Sequence, residues 1–184
     1  VTDESLRTAL AKAEADGNAE EARILKQEIR TLEEMEDEAA RFGKAVGLDS
    51  VSTFECIVDR DKHFFMEMNT RIQVEHTITE QITGIDIVQE QLRIAAGARL
   101  TFSQDAVNFR GYAMQLRINA EDPKNDFLPS FGRITHYYAP GGPGVRVDTA
   151  IYTGYEIPPF YDSMCLKLIV WALNWESLLA RPPS

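Results

Sequence analysis

A row of polar side chains occupies every second position of residues 67–75. An extended chain points alternate side chains to opposite faces, so these side chains share one face and the even positions suit a core. The polar face of an ordinary strand carries Lys, Thr, Ser and Glu, whereas this one holds two carboxylates, two amides and a guanidinium. Because convergent ionisable groups mark functional sites, the pattern indicates a site for a metal ion and an anion. The polar positions are Glu67, Asn69, Arg71, Gln73 and Glu75.

The carboxylates and the amide oxygens of this face are hard ligands. Glu67 and Asn69 suit Mg²⁺ or Mn²⁺ and not zinc. Residues 51–59 and 62–69 are rich in β-formers and are separated by a polar turn, which predicts an antiparallel hairpin that places Glu55 opposite Glu67. Two facing carboxylates repel each other unless a cation lies between them, so Glu55 is a candidate third ligand.

The rest of the polar face suits an oxyanion. The guanidinium of Arg71 can bind phosphate or a carboxylate through two parallel hydrogen bonds. Glu75 lies further along the same face, where its carboxylate could act as a general base. The residue types therefore predict metal-assisted chemistry on a phosphate or carboxylate substrate, and they do not identify that substrate.

The composition of the whole chain is that of a soluble globular protein, with 44% hydrophobic and 26% charged residues over 184 residues. The net charge of −10 argues against nucleic acid or an anionic membrane as a partner. Cys56 and Cys165 form no Cys-x-x-Cys pattern and fit buried thiols in a reducing cytoplasm. No apolar run approaches the ~18–20 residues that cross a bilayer. Because the chain begins at Val1 without an initiator Met, we expect it to be a piece of a longer protein.

The first 46 residues predict a helical hairpin. Residues 3–16 form the first helix, and Asn18 with Glu21 forms a capping box for a second helix that runs to about Val46. An apolar stripe follows the second helix. If this stripe packs against the β-hairpin it is core, and if it is exposed it could dock a partner subunit. The stripe consists of Leu25, Ile29, Leu32, Met35, Ala39 and Phe42.

Two short helices and a mostly antiparallel β region are predicted beyond the β-hairpin. The helices comprise residues 76–82 and 86–96, the second capped by Asp86 and ended by Gly97. The turn at residues 139–144 has no Lys and does not lead into a helix, so it is not a phosphate loop. The predicted strands are residues 110–118, 132–139, 145–151 and 165–173.

The run Phe65-Met-Glu-Met-Asn-Thr-Arg-Ile-Gln-Val-Glu-His76 closely resembles the signature of biotin carboxylases, which are members of the ATP-grasp superfamily. The resemblance covers residues 51–173 and is much looser before them. Further matching blocks are Ile82-Thr-Gly84, Glu90-Gln-Leu-Arg-Ile-Ala-Ala-Gly97, Leu116-Arg-Ile-Asn-Ala-Glu-Asp-Pro123, Phe127-Leu-Pro-Ser130 and Pro158-Pro-Phe-Tyr-Asp-Ser-Met164.

The helical hairpin predicted from the residue spacing and the domains implied by the resemblance together give an α+β fold with three parts. A helical hairpin over residues 1–46 precedes the C-terminal portion of an ATP-grasp domain over residues 47–105. A mostly antiparallel β biotin carboxylase C-terminal domain follows over residues 106–184, and we expect it to be truncated.

The family implies ATP-dependent carboxylation of biotin by bicarbonate, through carboxyphosphate. Biotin would be carried on a carrier protein or domain, and a carboxyltransferase would be a further partner. By this resemblance Glu55, Glu67 and Asn69 look like the Mg²⁺ or Mn²⁺ ligands that hold ATP. His76 looks like a structural residue at the start of a helix.

The same resemblance implies the catalytic residues. Arg71, Gln73 and the backbone of Val74 look like the bicarbonate cradle. Glu75 looks like the base that deprotonates bicarbonate, so that bicarbonate can attack the γ-phosphate of ATP. Arg117 looks like the group that stabilises the biotin enolate, a developing anion that a fixed cation serves well.

The sequence departs from the family pattern in several places. Thr77 stands where the family usually has Pro, and Gln115 with Leu116 replaces a common Glu-Cys pair. Phe131 replaces a frequent Pro, and Pro143 replaces a Phe near the family's dimer surface, which puts the homodimer in doubt. The chain also has no Gly-rich lid and no Lys that would anchor ATP, so we expect it not to turn over ATP alone.

Two other functions compete with this one. Another ATP-grasp ligase that activates bicarbonate, such as a carbamoyl-phosphate synthetase domain, would usually continue its Glu-x-Asn-x-Arg motif with a Ser-Arg-Ser type of sequence. Here Ile-Gln-Val-Glu-His follows, which favours a biotin carboxylase. We expect it to belong to an acyl-CoA carboxylase, such as an acetyl-CoA carboxylase, or to a pyruvate-type carboxylase, and to be cytoplasmic. The second is a non-catalytic assembly module that docks a partner through the helical hairpin.

Overall fold

The structure is a computed structural model that describes residues 3–180. The described residues form two units. The first runs to Gln73 and includes Ile94–Gly97, and the second comprises Val74–Arg93 and the residues from Ala98 onwards. None of the helices in the described part of the chain is long and apolar enough to span a membrane.

The first unit begins with two helices, α1 (Asp3–Ala15) and α2 (Ala19–Ala45), which pack against each other. Asn18 caps α2 as predicted: its side-chain oxygen accepts a hydrogen bond from the backbone N–H of Glu21 (3.3 Å), and its amide donates to the Glu21 carboxylate (2.7 Å). A salt bridge between the two helices pairs Lys26 of α2 with Glu14 of α1 at 2.7 Å. The buried residues of the pair are Leu6, Ala13, Ala22, Ile29, Thr31 and Gly43.

A β-hairpin completes the first unit. Strands β1 (Thr53–Asp59) and β2 (Lys62–Asn69) are antiparallel, and the predicted register is confirmed because Glu55 lies opposite Glu67. The next pair is Cys56 with Phe65, so Met66 is the extra residue of a β-bulge.

The bulge changes which face Phe65 occupies. Without it, Phe65 would share the polar face of Glu67, two residues away. With it, Phe65 packs against Phe54 and Phe42, with ring centroids 5.0 and 5.4 Å away. Phe42 belongs to the apolar stripe of α2, and Ile29 in the same stripe is only 6% exposed. The stripe is therefore at least partly core, which is the first of its two predicted interpretations.

Two helices follow the hairpin, α3 (His76–Thr83) and α4 (Ile87–Ala95). Both were predicted, as was the break between them. Gly84 ends α3 in the left-handed conformation, with φ of 73°, and the Asp86 carboxylate accepts from the backbone N–H of Gln89 (2.8 Å).

The extended strand predicted for the alternating polar segment, residues 67–75, is wrong beyond Asn69. Strand β2 ends at Asn69, and residues 70–75 are irregular.

The second unit contains a three-stranded antiparallel sheet. The strands of this unit are β3 (Tyr112–Asn119), β4 (Glu121–Asp122), β5 (Leu128–Pro129), β6 (Gly132–Arg133), β7 (Val145–Thr149), β8 (Glu156–Ile157) and β9 (Met164–Ala172). The middle strand of the three-stranded sheet is the last in sequence, so the order is β3, β9 and β7. Short two-stranded ladders join β4 with β5 and β6 with β8.

The main strands were predicted, with two errors around them. The strand predicted over residues 132–139 ends at Arg133, after which the N–H of Ile134 donates to the Tyr155 carbonyl (2.8 Å) and that of Tyr137 to the Thr153 hydroxyl (3.1 Å). A short helix, α5 (Trp175–Leu179), was not predicted. 3₁₀ turns occur at Gln104–Ala106 and Pro123–Asn125.

Two departures from the family pattern meet where α3 packs on β3. Thr77 is completely buried, and its hydroxyl donates a hydrogen bond to the side-chain oxygen of Gln115. A Pro at position 77 has no group that could make this bond, and a Glu at position 115 would bring a charge beside the buried residue. The two replacements therefore form one hydrogen-bonded pair.

Replacing Thr77 with Val tests this pair. The substitution keeps the shape of the side chain but leaves the Gln115 oxygen without its donor, so we expect the free energy of unfolding to fall by about 1–3 kcal/mol. The measurement is urea unfolding of Thr77→Val, Gln115→Met and the double variant. In the Gln115→Met background, Thr77→Val should cost much less, and a coupling energy below about 0.5 kcal/mol would contradict the pairing.

Candidate functional site

The facing carboxylates of the β-hairpin are bridged by amides. The side-chain NH₂ of Asn69 donates to Glu55 (2.8 Å) and to Glu67 (3.0 Å). The NH₂ of Gln73 donates to the same oxygen of Glu55 (3.2 Å). Four of the predicted site residues of the first unit thus form one cluster, and the amide protons supply the positive charge between the carboxylates.

Arg71 joins this cluster through amide oxygens. Its guanidinium donates to the side-chain oxygen of Gln73 (3.2 Å), to that of Asn69 (3.4 Å) and to the Ile72 carbonyl (3.3 Å). The chain bends after Asn69, so the side chains of Arg71 and Gln73 return to the end of the hairpin without belonging to a strand. The prediction that these side chains lie together is confirmed, although its reason, a continuous strand face, is wrong.

The donor set fits a hard divalent cation. Within residues 3–180, no three or more His, Cys, Asp or Glu side chains are placed to hold a metal ion, so a cation here would depend on two carboxylates and an amide. Rotating the Asn69 amide by 180° would replace its NH₂ with its oxygen between Glu55 and Glu67. Three hard oxygens, with water or phosphate completing the shell, are a set that Mg²⁺ accepts.

In the second unit, three charged side chains form a row across the sheet. Arg117 on β3 pairs with Lys167 on β9, and Lys167 pairs with Asp148 on β7. Directly opposed residues of antiparallel strands point to the same face. The guanidinium of Arg117 donates to the Glu75 carboxylate at 3.2 Å. Two further predicted site residues, Glu75 and Arg117, are therefore in contact.

Lys167 holds the two residues on either side of Glu75. Its ammonium donates to the Val74 carbonyl (3.2 Å) and lies 3.1 Å from Nε2 of His76. An ammonium has only donors, so Nε2 of His76 accepts and Nδ1 carries the proton that is donated to Glu80 (3.0 Å). Both ring nitrogens of His76 are therefore occupied, which favours a structural role.

The charges around Lys167 balance. Arg146 donates to Glu80 (2.8 Å) and to both oxygens of Asp148 (2.7 and 2.9 Å), and Lys167 lies 3.9 Å from Asp148. The hydrogen bonds of Arg146 hold the pKa of the Asp148 carboxyl below its usual value. Burial lowers the pKa of Lys167, and Asp148 offsets part of that shift.

Sequence reasoning missed this charge cluster, which comprises Glu80, Arg146, Asp148 and Lys167. Two signals were available. Lys167 interrupts an otherwise apolar run from Cys165 to Ala172, and such an interruption in a central strand needs a partner. Arg146 and Asp148 are two residues apart on β7, so their side chains share a face. Neither signal identifies the partner across the sheet.

Two family models match the chain. The model described as the carbamoyl-phosphate synthase L chain ATP-binding domain matches residues 19–103, and that described as the biotin carboxylase C-terminal domain matches residues 115–183. The biotin carboxylase of Nostoc sp. is 54% identical over 150 residues, which are 81% of this chain and 34% of that protein.

The chain belongs to the biotin carboxylase family. Biotin carboxylase 1 of Bacillus subtilis is another relative, 49% identical over 159 residues, which are 85% of this chain and 35% of that protein. The chain thus spans about a third of the length of these curated relatives.

A solved structure of the family also matches. It is the biotin carboxylase domain dimer of Hydrogenobacter thermophilus 2-oxoglutarate carboxylase, in complex with MgADP, ADP and bicarbonate. The similarity has a TM-score of 0.71 at 56% identity, and it covers 74% of this chain and 30% of that one. The α+β fold of a biotin carboxylase is therefore confirmed.

The pairing of Arg146 with Asp148 predicts a pH-dependent stability. The pKa of Asp148 is lowered on folding, so its carboxylate stabilises the fold above the ordinary value of 3.8 and loses that effect as the pH falls through the folded pKa. We expect Asp148→Asn to cost about 1 kcal/mol at neutral pH, since the pair is partly exposed. Urea unfolding between about pH 7 and pH 3 should show this cost shrinking towards acid.

A matched variant separates this effect from a general one. Asp105 is exposed, so Asp105→Asn should change the free energy of unfolding little at any of these pH values. A cost of Asp148→Asn that stays constant down to the acid limit would contradict the pairing.

Proposed function

We propose that this chain is part of an enzyme that carboxylates biotin with bicarbonate at the expense of ATP, through carboxyphosphate. The observation that carries the proposal is the contact between Glu75 and Arg117, at 3.2 Å. It brings a carboxylate that can remove a proton together with a cation that can stabilise an enolate. The family membership supports the same reaction, and a solved relative carries MgADP and bicarbonate.

The amide-bridged carboxylates are proposed to receive the nucleotide. Glu55, Glu67 and the Asn69 oxygen would hold Mg²⁺ or Mn²⁺, which supplies charge neutralisation for the phosphates of ATP when it is bound. Arg71, Gln73 and the Val74 N–H would bind bicarbonate. Arg71 suits this role because its present partners are neutral amide and carbonyl oxygens, which an anion can replace without breaking an ion pair.

Glu75 is proposed to start the reaction. Its carboxylate takes the proton of bicarbonate, and a bicarbonate oxygen then attacks the γ-phosphorus of ATP while the bond to the bridging oxygen of ADP breaks. The product is carboxyphosphate. Its carboxyl carbon then bonds to the ring nitrogen of biotin while its bond to the phosphate oxygen breaks, and phosphate leaves with the proton of that nitrogen. Arg117 would stabilise the enolate of the biotin ring, since a fixed cation is most effective where negative charge develops.

The domains, partners and location of the enzyme are proposed as well. We propose that residues 47–105 are the C-terminal portion of an ATP-grasp domain and that residues 106–184 belong to a biotin carboxylase C-terminal domain. The partners would be a biotin carrier protein or domain, a carboxyltransferase and a second copy of the enzyme. The enzyme would be located in the cytoplasm. The chain has no Gly-rich lid and no Lys that would anchor ATP, so the missing ATP contacts would come from other parts of the protein.

Carbamoyl-phosphate synthesis is the second candidate, because the ATP-binding model that matches residues 19–103 carries that name. The match to the biotin carboxylase C-terminal model and the sequence Ile-Gln-Val-Glu-His after Arg71 favour biotin carboxylation. A non-catalytic docking role for the helical hairpin is less favoured, since Ile29 of its apolar stripe is buried.

Replacing Glu75 with Gln in the full-length protein tests the proposed base. The amide keeps the size of the side chain but cannot take a proton, so we expect bicarbonate-dependent carboxylation of biotin to fall by about 10²–10⁴-fold. The measurement is incorporation of labelled bicarbonate into biotin, together with thermal unfolding. The melting temperature should change little because Glu75 is half-exposed.

Glu36→Gln is the matched control for this variant. Glu36 is exposed on α2, and its replacement should leave the carboxylation rate unchanged. If Glu75→Gln also kept the wild-type rate, Glu75 would not be the base.

A further inference from the structure

We infer that Lys167 is a positioning residue for the proposed base, because it anchors the backbone on both sides of Glu75. This inference rests on the proposed function of Glu75. The ammonium of Lys167 donates to the Val74 carbonyl at 3.2 Å and to His76 Nε2 at 3.1 Å. Val74 and His76 are the residues immediately before and after Glu75.

The place of Lys167 in the sheet makes it a firm anchor. It lies on β9, the middle strand, with Arg117 and Asp148 directly opposite on the two neighbouring strands. Its side chain is only 12% exposed, so its hydrogen bonds are shielded from water. A buried ammonium must find acceptors, and two of those it has belong to the segment that carries Glu75.

The bond to the Val74 carbonyl acts on the geometry of the base. That carbonyl and the N–H of Glu75 belong to one planar peptide group. Holding the carbonyl therefore restricts rotation about Cα–C of Val74 and about N–Cα of Glu75. These two torsions set the direction in which the N–H of Val74 and the side chain of Glu75 point.

Two other contacts involve Glu75. The N–H of Ile78 donates to its backbone carbonyl at 3.0 Å, and its carboxylate forms the ion pair with Arg117, in which the two side chains are 51% and 54% exposed. Exposed ion pairs are screened by water and fix geometry poorly. His76 contributes to the same anchoring, since its other ring nitrogen is held by Glu80, whose side chain is 7% exposed.

The kinetic test uses the full-length protein with Lys167→Met and Lys167→Arg. Loss of the anchor should lower kcat for bicarbonate-dependent biotin carboxylation by about 100-fold, which is the effect of misplacing a catalytic group. The KM for ATP should stay unchanged, because no ATP ligand is touched. Lys167→Arg keeps a donor cation and should recover most of the lost rate.

Arg93→Met is the matched control for a general loss of stability. Arg93 donates to the buried carboxylate of Glu90 at 2.6 Å and contacts none of residues 74–76. Both Met variants remove a cation from a buried partner, but only Lys167→Met should lower kcat once the folded fraction is taken into account. An equal loss in both variants, or wild-type kcat in Lys167→Met, would overturn the inference.

Hydrogen exchange separates this inference from the proposed function. In Lys167→Met, the backbone amide of Ile78, which donates to the Glu75 carbonyl at 3.0 Å, should exchange faster than in the wild type, whereas those of β3 should not. If the wild type lacked carboxylation activity but this difference appeared, the proposed function would fail and the anchoring by Lys167 would stand. Unchanged exchange at the Ile78 amide would overturn the anchoring whatever the activity.

Discussion

The placement of the site residues in the second unit depends on the two hydrogen bonds that the Lys167 ammonium donates. It lies in the middle strand of a small sheet, and it binds the backbone before and after Glu75. Burying this charge requires compensation, which Asp148 provides directly and Glu80 provides through His76. Arg146 balances both carboxylates, so the cluster contains two cations and two anions. The segment that leads into α3 is thereby held by the middle strand of the sheet.

A different constraint shapes the first unit. Glu55 and Glu67 face each other across the hairpin, and their repulsion must be relieved. In the structure the amide of Asn69 relieves it, and a divalent cation would relieve it further. The bulge at Met66 serves the same arrangement, because it leaves Glu67 on the polar face while turning Phe65 towards Phe42. Without the bulge, Phe65 would lie on the charged face, two residues from Glu67.

Local patterns predicted much of this from the sequence. The Asn18 cap, the Gly84 break and the pairing of Glu55 with Glu67 depend on neighbouring residues or on a short turn, so they could be recognised. The bend after Asn69 could not, because the alternation of polar residues continues through it.

Contacts between distant parts of the chain could not be predicted from the sequence either. Thr77 and Gln115 are 38 residues apart, and each was recognised only as a departure from the family pattern. Lys167 lies 93 residues from Val74, and nothing near it in the chain indicates that partner. Such pairs depend on the strand order of the sheet.

The proposed attack of bicarbonate on ATP is tested most directly by the transfer of oxygen from bicarbonate to phosphate. The full-length protein would be given ATP, biotin and ¹⁸O-labelled bicarbonate, and the inorganic phosphate analysed by mass spectrometry. Attack of bicarbonate on the γ-phosphate predicts one bicarbonate oxygen in each phosphate released, and phosphate whose new oxygen comes only from water would contradict it.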